Sequence, residues 1–389
     1  MVTADIPAEK PSSGPGSITL GRLLASFLKL GSIGFGGGMA VIALMEEEFV
    51  QKRQIIGAEE FVHGVGLAQI LGPFAVNTSF FIGYRLFGVM AGLLSASAFL
   101  APSVALVILL SRLYFRYHSI PALQGAVAGL GPVVIALIMT AGWSIGRKVV
   151  RSWPEALIAT GALIAGAAKL NTLWVLATAA AAGFLFMRQL PPSTEPKPPQ
   201  QSKAALLMIP AASSLTASVG TIAITFLKIG LVFFGGGFVL VPLLHDRLVT
   251  QLGWLSSREF LDGMAISNLT PGPIAVLATF AGYHLAGVSG ALTATAALFA
   301  PAMVLMLVIS HGYERFREDR RVKRFLSGVN PAVAGLIVSA ALLLGRGALV
   351  GWPGYLLLGL SVFLLARLHW HPAFVLGIGA VAGYLGLLS

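Results

Sequence analysis

Apolar runs long enough to cross a bilayer recur from Ile18 to the C-terminus, with only short polar interruptions. In the first half they predict membrane segments at roughly 18–45, 61–83, 86–111, 121–146, 153–168 and 172–188. The second half gives 219–244, 260–282, 285–310, 326–345, 351–367 and 372–388. The two sets are copies of one unit. Phe27 to Gly38 reads FLKLGSIGFGGG, and Phe226 to Gly237, 199 positions on, reads FLKIGLVFFGGG. The same offset carries Gly88 onto Gly287, Ala101-Pro102 onto Ala300-Pro301, Pro132 onto Pro331 and Gly146-Arg147 onto Gly345-Arg346. The pattern predicts an all-α polytopic membrane protein with two homologous halves at 18–188 and 219–389. A polar tail at 1–17 reads as disordered rather than as a signal peptide. A linker at 189–218 opens with QLPPSTEPKPPQQSK, a semi-rigid spacer by composition.

The number of crossings turns on two interruptions, Leu71-Gly72-Pro73 within 61–83 and Thr270-Pro271-Gly272-Pro273 within 260–282. Were both segments re-entrant hairpins, each half would cross five times, about ten in all, and the halves would be inverted. That count also divides Lys and Arg between the two faces more unevenly than twelve crossings would, as the orientation rule prefers. Spacings such as Gly142xxxGly146 and Gly379xxxGly383 suit close helix packing in lipid.

Composition narrows the chemistry. The net charge of +11 is carried largely in short loops such as 147–151 and 315–324, the signature of membrane orientation and attraction to anionic lipid rather than of nucleic-acid binding. The chain has no cysteine, which excludes disulfides and thiol chemistry. No phosphate-binding loop, HExxH, GxSxG or metal-spaced His/Asp cluster is present, so neither catalytic residues, nor a metal site, nor a cofactor is expected.

Three features could hold a ligand. The segment 18–45 would make a helix of roughly 42 Å at 1.5 Å per residue. That exceeds the ~30 Å hydrocarbon core, so the segment must tilt, protrude or break. Gly36-Gly37-Gly38 and Gly235-Gly236-Gly237 are the natural breaks, and the half-helix that follows would offer free N–H groups to an anion. Close helix approach is the competing explanation for these glycines. Lys29 and Lys228 each lie about eleven residues into their segments, where a lysine is costly unless it serves a ligand. Ser32 falls between Lys29 and Gly36 on one helical face. The alternative is a lysine that reaches headgroups. If both lysines converge near the midplane, their two charges match a dianion. Around the Gly-Pro interruptions, Gln69, Asn268, Thr270 and Asn77 supply polar groups, and Gly72, Pro73, Pro271, Gly272 and Pro273 would line or gate a path. The bland reading is a kink. Carboxylates, Asp262 among them, fall at segment ends or in loops, so no proton-relaying carboxylate stands out; His63, His284 and Glu46 to Glu48 would qualify only if the spans shift.

The paired F-L-K-x-G…F-G-G-G motifs, Thr270-Pro271-Gly272-Pro273, and F-x-G-Y at Phe81–Tyr84 and Phe280–Tyr283 together resemble the chromate ion transporter family, in its long two-domain form. The resemblance spans about 18–389 and implies an inner-membrane exporter of chromate that confers resistance, with sulfate as the related anion. One departure is Leu71-Gly72-Pro73-Phe74, which keeps a Gly-Pro pair where the family has Pro-Gly-Pro. Chromate or sulfate and membrane lipid are the expected partners, nucleic acid is not, and the sequence leaves a homodimer open. The rival class is a membrane scaffold or enzyme without transport.

Overall fold

The computed structural model describes residues 18–34, 38–117, 120–186, 218–233, 237–309, 320–349 and 351–387. The tail, the Pro-rich linker and the loop before Arg320 therefore lie outside the described residues. Every regular element within them is helical. The first copy holds α1 (Leu20–Ile33), α2 (Gly38–Glu46), α3 (Ala58–Ile70), α4 (Phe74–Phe87), α5 (Val89–Tyr117), α6 (Pro121–Val149), α7 (Trp153–Ala167) and α8 (Thr172–Phe186). The second holds α9 (Val219–Leu231), α10 (Leu240–Leu244), α11 (Ser257–Leu269), α12 (Leu277–Ile309), α13 (Arg320–Ala348), α14 (Gly351–Ala366) and α15 (Pro372–Tyr384). A π-helix follows α2 at Glu47–Lys52 and α10 at His245–Gln251, so this rare winding recurs at one place in both copies.

Four described stretches are long and apolar enough to cross a membrane: Val89–Tyr117, Gln124–Val149, Ile274–Val308 and Ser327–Ala348. Much of the remainder folds as hairpins of shorter helices. Segment 61–83 is one of them. Its arms α3 and α4, 13 and 14 residues long, each measure roughly 20 Å at 1.5 Å per residue. Gly64 lies against the Phe81 ring and Arg85 pairs with Glu60, contacts nearly equidistant from the turn at Gly72 on its two sides. In the second copy α11 packs in the same way on the start of α12, with Gly263 on the Phe280 ring. Ala286 and Gly287 leave helical geometry, so α12 is a returning arm followed by a long span. Gly88, at φ 85°, makes the equivalent corner between α4 and α5.

Segment 18–45 differs from a broken crossing. It does break, but the chain then reverses: the rings of Phe27 and Phe49, on either side of the break, are 4.9 Å apart. A glycine run removes the helix without fixing the direction in which it resumes.

The halves are inverted. Along α6 and α13, Gly131 faces Ala348, Gly142 faces Ile337 and Val338, and Gly146 faces Ala334, so the two equivalent helices run antiparallel. The two hairpins likewise approach α5 from opposite ends. Phe80 and Gly83 of the first meet Gly92 and Ser95 near its start, while Asp262, Phe280 and His284 of the second meet Tyr114 and Phe115 near its end.

The copies are also interleaved. α6 packs on α14 and α15 of the second copy, and α13 on α7 and α8 of the first. Small residues make this possible. At Gly129 and Gly379, at Gly125 and Gly383, and at Gly328 and Ala179, backbones approach so closely that a side chain has no room. Lipid tails are as apolar as leucine, so helix association in a bilayer relies on such close packing. Gly379→Leu is expected to lower the melting temperature of the purified protein, by overpacking of about 1–3 kcal/mol. Gly161→Ala, where the added methyl meets nothing, is expected to leave it unchanged; scanning fluorimetry in detergent compares the two.

Candidate functional site

Four interruptions of the chain meet in one place. The Gly272 N–H donates to the Gly34 carbonyl at the end of α1, 3.1 Å away. On the other side Gly72 lies against the carbonyl of Phe233, just past the end of α9. Gly34 and Phe233 are equivalent at the 199-residue offset, so the hairpin tip of each copy docks on the first helix of the other. Within each copy the same tip touches the resumed half-helix, Phe74 on Gly38 and Ile274 on Gly237. The Ser103 hydroxyl donates to the Pro271 carbonyl. Ser103 is the fifteenth residue of the 29 in α5, so the junction sits halfway along a membrane-spanning helix.

Gly72 and Gly272 adopt nearly the same backbone, φ 109° and 106°. The departure at Leu71-Gly72-Pro73-Phe74 therefore leaves the turn unchanged. It shifts the second copy by one residue, and the 3-10 turn Ile274–Val276 follows at once. A 3-10 turn rises about 2.0 Å per residue against 1.5 Å in an α-helix. It covers the same length with fewer residues, and the 199 offset is restored by Phe81 and Phe280.

The junction exposes backbone that helices normally hide. No side chain caps α4, whose first N–H groups to find a helical acceptor are those of Val76 and Asn77, both on the Pro73 carbonyl. The N–H groups of Phe74 and Ala75 are left free of the helix. Pro102 in α5 and Pro301 in α12 each release a carbonyl four residues earlier. Asn77 is fully buried; its Nδ2 donates to the Leu71 carbonyl at 3.4 Å, and its Oδ1 has no partner.

The other polar residues expected here divide into two groups. Gln69 is exposed, its Nε2 3.7 Å from Met39 Sδ beside the start of α2. Asn268 and Thr270 bond back to their own arm, on the carbonyls of Met264 (2.8 Å) and Ser267 (2.9 Å). Pro73 and Pro271 are buried, and Pro273 is half-buried at the rim. Gly36, Gly37, Gly235 and Gly236 lie outside the described residues.

The lysines do not turn inward: Lys29 and Ser32 are exposed and Lys228 is half-exposed. The cause is Gly31, which has to face α5 because it lies on the Phe99 carbonyl. Leu23, Phe27 and Leu30 follow it inward, and Lys29, two residues or about 200° away, turns outward. The Ser32 hydroxyl bonds the Leu28 carbonyl, 2.9 Å away on its own helix.

One buried acid escaped the sequence reading. Asp262 is 4% exposed, and its Oδ2 accepts the Tyr114 hydroxyl at 2.6 Å. Its place among segment ends was mistaken. Ser256 and Glu259 form a capping box that starts α11 earlier, so Asp262 lies in the second turn of a buried arm. The capping box was the available signal. Glu47 and Glu48, by contrast, pair with Lys52 and Arg53 on an accessible π-helix.

Inverted, interleaved copies whose broken helices meet halfway along the spanning helices define a multi-pass membrane protein of the inverted-repeat transporter class. The family model described as Chromate transporter matches residues 21–184 and again 220–384, and the chain belongs to that family. A probable chromate transport protein of Synechococcus elongatus is 31% identical over 94% of this chain and 95% of its own length. Chromate transport proteins of Cupriavidus metallidurans and Pseudomonas aeruginosa are 29% and 30% identical, each over 90% of this chain and 88% and 86% of their own. No solved structure matches the chain.

The tips give a prediction. Gly72→Ala and Gly272→Ala each force a left-handed backbone onto a side chain and push it into Phe233 or Ser103. Each is expected to cut chromate flux in vesicles at least tenfold. Gly88→Ala has the same sign of φ but open space, and is expected to retain most of it.

Proposed function

We propose that this protein is a secondary transporter that moves the chromate dianion outward across a bacterial inner membrane and so confers resistance. The junction of four chain breaks carries the reading. Two hairpins enter from opposite ends of α5 and stop at its middle, leaving backbone donors such as those of Phe74 and Ala75 outside the helical hydrogen bonds near its midpoint. Free N–H groups at the start of a half-helix favour an anion through both their hydrogens and the helix dipole. Backbone left open at membrane depth is tolerated where it lines protein or a water-filled cavity.

Lys29 and Lys228 then act on the approach to the junction rather than as walls of a closed chamber. Each stands on the outward face of the helix whose end receives the opposite hairpin. Gln69 and Asn268, last polar residues before the two turns, flank the same approach. Gly38 and Gly237, which touch the hairpin tips, add to the donor set, and the Gly-Pro turns move when the path opens. Sulfate, of the same charge and tetrahedral shape, is the natural competitor.

Membrane voltage sets the direction. Expelling two negative charges against an interior-negative potential of 100 mV releases about 4.6 kcal/mol. At about 1.4 kcal/mol per tenfold, that sustains an outward gradient above roughly a thousandfold. Purified protein in liposomes is expected to carry current with radiolabelled chromate, and an electroneutral cycle would defeat this version. Lys29→Ala and Lys228→Ala are each expected to slow the flux at least tenfold, while flux equal to wild type would remove the lysines from the path.

A further inference from the structure

Beyond the junction, one buried group has no role in anion binding and sits on a seam between the two copies. Asp262 lies on α11, the entering arm of the second hairpin, and reaches the first copy through Tyr114 on α5. The hairpin is held along α5 at two points. Its tip is bound by Ser103 to Pro271, and its base by Tyr114 to Asp262. Eleven residues separate these points on α5 and nine on the arm, so the arm lies antiparallel along the helix over roughly 15 Å.

We propose that Asp262 is a proton-binding site that takes up and releases one proton in each transport cycle. This inference rests on the transport reading above and adds a coupled ion to it.

A carboxylate in this position is ill at ease when charged. No basic side chain among the described residues forms an ion pair with it, and its one hydrogen bond comes from a neutral phenol. An uncompensated buried charge is costly, and a proton relieves it. The groups acting on Asp262 are Tyr114 from α5 and, on its own arm, Arg258 and Glu259. His284 of the returning arm lies tilted over Phe115, and His245 of the π-helix meets the edge of the Phe260 ring; neither acts on the carboxylate. Among the described side chains, the helices α6, α13 and α15 that also pack on the arm add no charged group to it.

The exposed start of the arm lies close by. Arg258 is exposed, and Glu259 is half-buried one turn before Asp262, on the same side of the helix. A proton enters past Glu259 and neutralises the acid while the arm is seated on α5. Release restores the charge, which water stabilises only if the seam loosens. Proton occupancy therefore biases the contact between one hairpin and the opposite copy's long helix, the contact that has to change as access alternates. The offset of 199 places His63 at the corresponding position of the first hairpin.

The test uses the full chain in liposomes with a trapped pH dye and the voltage clamped near zero by potassium and valinomycin. For wild type, a pH gradient is expected to drive radiolabelled chromate, and chromate is expected to move protons. Asp262→Asn is expected to lose at least tenfold of the chromate-dependent proton flux while keeping voltage-driven chromate flux. Its chromate flux should also lose the pH dependence of wild type. Asp262→Glu is expected to restore coupling, and Tyr114→Phe to shift the pH midpoint. Coupled proton flux at wild-type level in Asp262→Asn overturns the proposal. So does wild-type protein that carries voltage-driven chromate without moving protons, a result that stands even should the asparagine variant not fold. Absence of any chromate flux in wild type defeats the transport reading instead.

Discussion

In a bilayer the backbone has to find its hydrogen bonds inside the protein, and that requirement explains most of this architecture. A helix meets it alone. A helix that stops halfway does not, because its last carbonyls and the next helix's first N–H groups face hydrocarbon. Here each copy supplies what the other lacks. The Gly34 carbonyl is closed by the Gly272 N–H, and the Phe233 carbonyl lies on Gly72. The Pro271 carbonyl is closed by Ser103 from the first copy. Duplication is thus more than symmetry: one copy alone would leave broken ends that only its inverted twin can reach.

The same demand sets the packing around the junction. Four breaks come together only if the helices behind them approach closely, and this places glycine or alanine wherever α6 and α13 cross the opposite copy. The interleaving ties the halves into one body, since α6 is walled by α14 and α15 and α13 by α7 and α8. The second hairpin is fixed to α5 by two polar contacts, at Ser103 and Tyr114, while the first packs closely on α5 through α4 and the α6–α13 pair holds the antiparallel frame.

Much of this was written in the sequence, and the exceptions have physical causes. The offset repeat, the breaks at the glycine triplets and the hairpin turns at Gly72 and Gly272 followed from residues that cannot continue a helix. Inversion is seen in the antiparallel register of α6 and α13, although the five crossings per half from which it was expected do not survive the reversal within 18–45. The reversal after α1 was not legible, because glycines specify a stop and not a direction. The outward turn of Lys29 was not legible either. It depends on which face Gly31 must press against Phe99, a tertiary fact that helical spacing alone cannot choose. Asp262 was misread for a third reason: segment boundaries drawn from hydropathy ignore capping, and the box at Ser256 and Glu259 moves the helix start by enough to bury it.

The two copies are not identical where it matters, and this bears on how an inverted repeat can work in one direction. A perfectly symmetric pair would have two states, open to either face, of equal energy. A driving force would then act on a machine with no preferred resting state. Residues that differ at equivalent positions remove that degeneracy. Asn77 is buried with a free acceptor where the second copy, shifted by one residue after its turn, has Leu277, and Asp262 stands where the first has His63. Lys29 is exposed while Lys228 is half covered. A single buried group that costs about 1–3 kcal/mol in one state and is hydrated in the other shifts their ratio by roughly 5- to 150-fold. Differences of that size lie in the hairpins and first helices, the elements that meet at the junction, so the bias is built where the two copies touch the path.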